Sequence, residues 1–244
     1  MQSAQKCERK AVLFIHGFMG SPKQFEYLFP VASAHGFFPK ALLLPGHGRT
    51  IAEFCKTPAQ DWQAHVHKEL NALRETYSKI LLVGHSMGGL LAVSEAERDA
   101  SCICGLLALA LPLHLRVSLK GICTNIRYIK KRINKTDKFV TAAKAASGVA
   151  GISLLNSIKL LPYVMQLKRL SALARFGLRR FGLPLTIVQS NNDEWVSGKS
   201  ASYARRILKS PKIVELCESG HFWYSETDKE IIKEEFAALM IRES

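Results

Sequence analysis

The feature that most constrains this chain is the stretch 80–91, Ile-Leu-Leu-Val-Gly-His-Ser-Met-Gly-Gly-Leu-Leu, in which an apolar run meets Gly84-x-Ser86-x-Gly88 and a second apolar run follows. Residues 80–84 suit a buried parallel strand, and Leu90, Leu91 and Ala92 fall on one side of a helix. A strand and a helix joined by so sharp a turn bring two backbones together, which only small residues flanking Ser86 allow. The turn also lifts the serine hydroxyl above the sheet edge, where it can reach a substrate. The pattern is short enough to arise by chance, so the rest of the chain has to supply what a reactive serine needs.

Strand-like and helix-like stretches alternate on both sides of this unit. Residues 11–15 read as a strand ending in His16-Gly17-Phe18-Met19-Gly20, and Ser21-Pro22 supplies an N-cap and a first-turn proline for a helix through Ala34. Residues 39–44 read as a second strand closed by Pro45-Gly46-His47-Gly48. Residues 61–77 form an amphipathic helix with Trp62, Val66, Leu70 and Leu73 at helical spacing. Beyond Ser86, residues 103–111 and 184–189 read as buried strands and 198–208 as a helix. A strand at 212–217 leads into Glu218-Ser219-Gly220-His221, and a helix over 227–240 closes the chain. Such alternation implies an α/β protein with one parallel sheet and helices on both faces.

Residues 113–180 break the alternation. They carry 15 Lys and Arg against the single acid Asp137, whereas the remainder balances 19 basic with 19 acidic residues, so the whole net charge of +14 sits in this segment. An inserted piece on a neutral scaffold is the natural reading, with a core formed by 1–112 and 181–244 and a basic helical insertion at 113–180. Leu119, Ile122, Ile126, Ile129 and Ile133 step by three and four, which predicts a basic amphipathic helix whose stripe packs inward and whose cations face solvent. Its charge fits either plain solvation or peripheral contact with an anionic membrane. The segment has few interleaved aromatics, so nucleic acid is not an expected partner.

The first ten residues are polar and lack the apolar stretch of a secretory signal, and the run 103–113 is too short to span a bilayer, so a cytoplasmic location is expected. The six cysteines are scattered, and Cys102-x-Cys104 lacks the spacing of a zinc or redox pair; they read as small buried hydrophobes.

A serine hydroxyl becomes nucleophilic when a base takes its proton, and the base works best when a carboxylate fixes its tautomer. Such groups gather at the carboxyl ends of parallel strands. Asp193 follows the strand 184–189 and His221 follows the strand 212–217, giving the order Ser86, Asp193, His221 expected for this elbow. Glu194 is the near rival to Asp193, displaced by one residue and expected to turn away from the strand end. Among the other histidines, His16 and His47 lie in Gly-rich turns and read as structural, and the ring of His85 is expected to point away from the substrate side. The developing oxyanion needs donors, which the backbone N–H groups of Met87 and Phe18 offer, with Gly17 leaving room.

Taken together, His16-Gly17-Phe18-Met19-Gly20-Ser21-Pro22, Leu44-Pro45-Gly46-His47-Gly48, Gly84-His85-Ser86-Met87-Gly88-Gly89, Asp193-x-x-Val196 and Ser219-Gly220-His221 resemble the α/β-hydrolase superfamily, most of all its bacterial carboxylesterase and monoacylglycerol lipase group. The resemblance covers nearly everything outside 113–180. It implies the α/β-hydrolase fold with a helical cap over the site, a triad of Ser86, Asp193 and His221, an oxyanion hole from Phe18 and Met87, and neither metal nor organic cofactor. It also implies a small-molecule ester substrate cleaved through an acyl-enzyme on Ser86. Thioesterase, lysophospholipase and acyltransferase chemistry use the same parts. A binding protein using its basic cap on anionic surfaces is the reading from another class. The sequence departs from the group after the acid, where Ser197-Gly198 follow Val196, and in its long basic cap.

Overall fold

The computed structural model describes residues 8–115, 138–150, 158–209 and 211–242. Among them, six strands form one sheet in which every neighbouring pair is parallel: β1 Lys10–Ile15, β2 Phe37–Leu42, β3 Lys79–His85, β4 Ile103–Leu109, β5 Leu185–Ser190 and β6 Lys212–Leu216, in the order β2-β1-β3-β4-β5-β6. All seven residues of β4 are buried, as a strand covered on both faces requires. The chain runs from β1 outward to β2 and then crosses to β3 on the other side of β1. That reversal leaves a crevice beyond the carboxyl ends of β1 and β3, which pair through Ile15 and Gly84. The turns holding His16-Gly17 and Ser86 therefore open side by side.

The α-helices among the described residues are α1 Phe29–Ala34, α2 Ile51–Phe54, α3 Ala59–Arg74, α4 Met87–Arg98, α5 Lys138–Ala146, α6 Leu161–Gly177, α7 Lys199–Ile207 and α8 Glu226–Arg242. Two apolar layers sandwich the sheet. One joins Trp62, Leu70, Leu90 and Leu91 to Leu167 and Leu170 of α6, and the other joins Phe14, Phe25 and Leu28 to Ile232 and Phe236 of α8. Two expectations shift in detail. The stretch after Ser21 divides into a 3-10 turn, Pro22–Leu28, and α1, because Pro22 and Pro30 each occupy the first turn of a separate element; Ser21 makes no side-chain cap. β2 begins at Phe37, since its register against β1 starts at Lys10, and Leu43 is left exposed beyond it.

The stripe Leu119, Ile122, Ile126, Ile129 and Ile133 lies outside the described residues. Of the remaining basic stretch, α6 packs into the core. Tyr163, Leu167, Leu170 and Ala174 enter the core layer that contains α4. The Ser171 hydroxyl donates to the Leu113 carbonyl at 2.9 Å, and the Ala59 N–H donates to Gln166 Oε1 at 2.9 Å. Val149–Ala150 pairs with Arg49–Thr50, and the Gly148 N–H donates to the Met19 carbonyl at 2.7 Å, which ties the insertion to the turn after β1. Among the described residues no helix is long and apolar enough to cross a membrane.

The close approach of α4 to β1 generates a test. A methyl group at Gly88 would overlap the carbonyl of Ile15, whereas one at Gly182 meets nothing within 4 Å. Gly88→Ala should therefore lower stability by more than ~2 kcal/mol, and Gly182→Ala should leave it within ~0.5 kcal/mol. Denaturant melts of the two variants check this, and equal melting would contradict the close packing at the turn.

Candidate active site

Ser86 sits between β3 and α4 with φ 50 and ψ −117, a conformation that costs a non-glycine residue on the order of 1–3 kcal/mol and persists only where its surroundings enforce it. Here both flanking elements are buried in the core. Gly84 and Gly89 permit the bend: a Cβ at Gly84 would stand 2.5 Å from Gly89 Cα. Ser86 itself is 9% exposed. The Met87 N–H is at the first position of α4, where no intrahelical acceptor exists for it, so it is available to an oxygen held in front of the serine.

Asp193 and His221 meet directly. His221 Nδ1–H donates to Asp193 Oδ2 at 2.9 Å, which leaves Nε2 as the proton acceptor. The other Asp193 oxygen, Oδ1, accepts the backbone N–H groups of Trp195 (2.8 Å) and Val196 (2.7 Å). Burial opposes ionisation of Asp193, but the His221 charge and these hydrogen bonds outweigh it and hold the carboxyl below its ordinary value. Burial likewise opposes charging of His221, yet the charge and hydrogen bond of Asp193, with the charge of Glu194, raise it above the ordinary 6.5. The residue before Ser86 touches this pair: His85 Nε2–H donates to the His221 carbonyl at 2.9 Å, and the two rings lie 4.8 Å apart.

The turn after β1 is fixed by two neutral histidines. His16 donates from Nδ1 to the Gly17 carbonyl at 2.9 Å and accepts the Leu44 N–H on Nε2 at 3.1 Å. His47 donates to the Pro45 carbonyl at 3.2 Å and accepts the Met19 N–H at 3.1 Å. Burial is the first cause that lowers both, to about 3 and about 4, so they keep one donor and one acceptor edge at any working pH. Gly17 abuts the serine turn, with a Cβ there falling 2.9 Å from His85 Nδ1 and 3.2 Å from Ser86 Cβ. Phe18 thus follows a backbone pressed against Ser86, while its ring packs near Phe54, Trp62 and Tyr163.

Three residues contribute that the sequence reading did not single out for these roles. Glu194 does not turn away: its buried carboxylate accepts the backbone N–H of His221 at 2.9 Å. His85, lowered to about 3 mainly by burial, holds the His221 carbonyl. Asp228 accepts the Ser219 N–H (3.0 Å) and hydroxyl (2.5 Å), tying the loop before His221 to the start of α8. The pattern Ser225-x-x-Asp228 signals the helix start, where the Ser225 hydroxyl accepts the Asp228 N–H at 3.1 Å, but not the reach of Asp228 to Ser219. The acid loop is further held by a bridge between Val196 and Leu115 and by Ser197 N–H donating to the His114 carbonyl at 3.2 Å. A cavity of about 560 Å³ lies behind His85 and Phe222, bounded by Gln24, Tyr27 and Ala146. Among the described residues no group of three or more His, Cys, Asp or Glu is placed to hold a metal ion.

A profile of the alpha/beta hydrolase family matches residues 12–234. The chain is 27% identical over 233 residues to a thermostable monoacylglycerol lipase of Bacillus sp. (strain H-257), covering 91% of this chain and 87% of that protein. It is 23% identical over 232 residues to a carboxylesterase of Bacillus subtilis (strain 168), covering 93% and 90%. A solved structure from work on two metagenome-derived lipolytic enzymes shares the fold, with a TM-score of 0.73 and 24% identity over 96% of this chain and 94% of that one.

The grip of Glu194 on the His221 backbone predicts a graded response. Glu194→Gln keeps an acceptor oxygen and should retain catalytic rate within about twofold, whereas Glu194→Ala leaves a buried N–H unpaired and should lower it at least ~10-fold. Turnover of a soluble ester by both variants is the check; equal effects would mean that the contact does not position His221.

Proposed function

Because the chain belongs to the alpha/beta hydrolase family, we propose that it is a serine hydrolase of carboxylic esters working through an acyl-enzyme on Ser86. The observation that carries this reading is the buried Asp193–His221 pair at 2.9 Å, set beside a serine whose backbone is held in a strained turn. Relatives named as a monoacylglycerol lipase and a carboxylesterase support an ester as the bond cleaved.

In this mechanism His221 Nε2 takes the Ser86 proton as the oxygen attacks the ester carbonyl, and the resulting imidazolium is steadied by Asp193. The oxyanion is received by the N–H groups of Phe18 and Met87. His221 then protonates the departing alcohol, and water attacks the acyl-enzyme with His221 again as base. Glu194 and His85 act as positioning residues, since they hold the His221 backbone at its N–H and its carbonyl. The 113–180 insertion serves as the cap, an assignment supported by Tyr163 of α6, whose ring centroid is 6.3 Å from that of Phe18.

Two measurements test the reading. A fluorophosphonate probe should label Ser86 covalently, and Ser86→Ala should abolish labelling; an adduct mapped to another residue by mass spectrometry would move the site. The base works only when neutral and its pKa is raised, so kcat/KM for a soluble ester should fall as pH drops through a midpoint above 6.5. Asp193→Asn removes the charge that raises His221, so it should shift that midpoint downward and lower turnover on the order of 10⁴-fold. An unchanged midpoint in the variant would separate Asp193 from the base.

A further inference from the structure

Helix α6 is apolar on two opposite faces. Its inner face, with Tyr163, Leu167, Leu170 and Ala174, is buried in the core layer. Its outer face exposes Leu161 (64%), Met165 (59%), Leu173 (50%) and Phe176 (53%), four of the seven large hydrophobic side chains exposed among the described residues. At ~100° of rotation per residue these four occupy about one third of the helix circumference, opposite the buried stripe, with the exposed Arg169 projecting between Phe176 and Leu173. A surface helix ordinarily turns its second face polar; one that does not is asking for a second apolar neighbour.

The charge around this ridge restricts what the neighbour can be. Lys159, Lys168, Arg169, Arg179 and Arg180 are exposed on or beside α6, and the Arg180 guanidinium lies 5.1 Å from the centre of the Phe176 ring. No acidic residue occurs anywhere from 138 to 180. A second copy docking by two-fold symmetry would set these five cations against themselves, an excess that Glu97 of α4, beside Gly177 at the end of the helix, does not balance. A nucleic acid would engage the cations and leave Leu161, Met165 and Leu173 in water.

We propose that the outer face of α6 is a docking surface for an anionic lipid bilayer, with the ridge Leu161, Met165, Leu173 and Phe176 entering the headgroup boundary and the flanking Lys and Arg pairing with acidic headgroups. Both parts of the pattern match helices that lie in a membrane interface, where buried apolar area and cation–headgroup attraction add. The inner face of the same helix presents Tyr163 to Phe18 and Phe54, so roughly one helix diameter, ~10 Å, separates the docked bilayer from the turn that receives the oxyanion. An ester leaving the bilayer at the rim of α6 therefore has a short path to Ser86. The docking surface stands independently of the esterase reading, because it uses none of the residues assigned to chemistry.

The test is co-sedimentation of the whole protein with vesicles of phosphatidylglycerol and phosphatidylcholine in equal parts, against vesicles of phosphatidylcholine alone. The wild type should bind the anionic vesicles at least tenfold more tightly, and salt at ~1 M should weaken binding at least tenfold. Two variants separate the contributions: Met165→Gln/Leu173→Gln/Phe176→Gln removes the ridge, and Lys168→Glu/Arg169→Glu reverses adjacent charge. Each should bind anionic vesicles at least ~10-fold more weakly while keeping the wild-type melting transition and its rate on a soluble short-chain ester. Ser86→Ala should bind vesicles like the wild type, so loss of catalysis and loss of docking are read apart. Unchanged binding by the ridge variant, equal affinity for neutral vesicles, or a dimer in sedimentation equilibrium that the ridge variant dissolves would each overturn the proposal.

Discussion

The molecule depends on a backbone contact: Gly88, in the first turn of α4, lies directly against the carbonyl of Ile15 at the end of β1. Nothing larger than hydrogen fits there. This contact brings the start of α4 to the two turns at the head of the sheet, so that Ser86, Gly17 and the Met87 N–H occupy one small space. The strained φ of Ser86 is a consequence, since a relaxed turn would carry α4 away from β1. Sheet register contributes to the same end, because Ile15 pairs with Gly84 and the two strands stop together.

Around that contact, four histidines are given distinct properties by their surroundings alone. His16, His47 and His85 are buried beside donors and carbonyls but no carboxylate touches them, so desolvation lowers them to about 3, about 4 and about 3 and they serve as neutral struts. His221 is equally buried but touches Asp193 and has its N–H held by Glu194, which reverses the direction of its shift. The struts act on backbone: His16 on Gly17, His47 on Met19 and His85 on His221. His221, the proposed base, is thereby held by a side chain that stays neutral in the working range.

The basic stretch is less separate than its charge suggests. α6 supplies apolar side chains to the layer that covers the sheet, and hydrogen bonds from Ser171 to Leu113 and from Ala59 to Gln166 fix it there. Its inner end completes the aromatic group around Phe18, and its outer face keeps an apolar ridge among cations.

Much of this was legible in the residues. The alternation of apolar runs with helical spacing gave the parallel sheet, the order Ser86, Asp193, His221 at strand ends gave the candidate site, and the glycines at 17, 84 and 88 marked the close backbone approaches. These are local signals, written in period and composition and readable without knowing what lies across the fold. Other features depend on residues far apart in the chain. Glu194 reached the His221 N–H, Asp228 reached the Ser219 loop and His85 reached the His221 carbonyl only because the sheet brought the ends of β3, β5 and β6 together. The division of labour on α6 was equally hidden: its sequence is apolar nearly all round, and which side is core is decided by α4 packing against it, leaving Met165, Leu173 and Phe176 on the side that nothing in the described fold covers. Sequence period determines that a face is apolar; only the tertiary partner determines which apolar face is left in water.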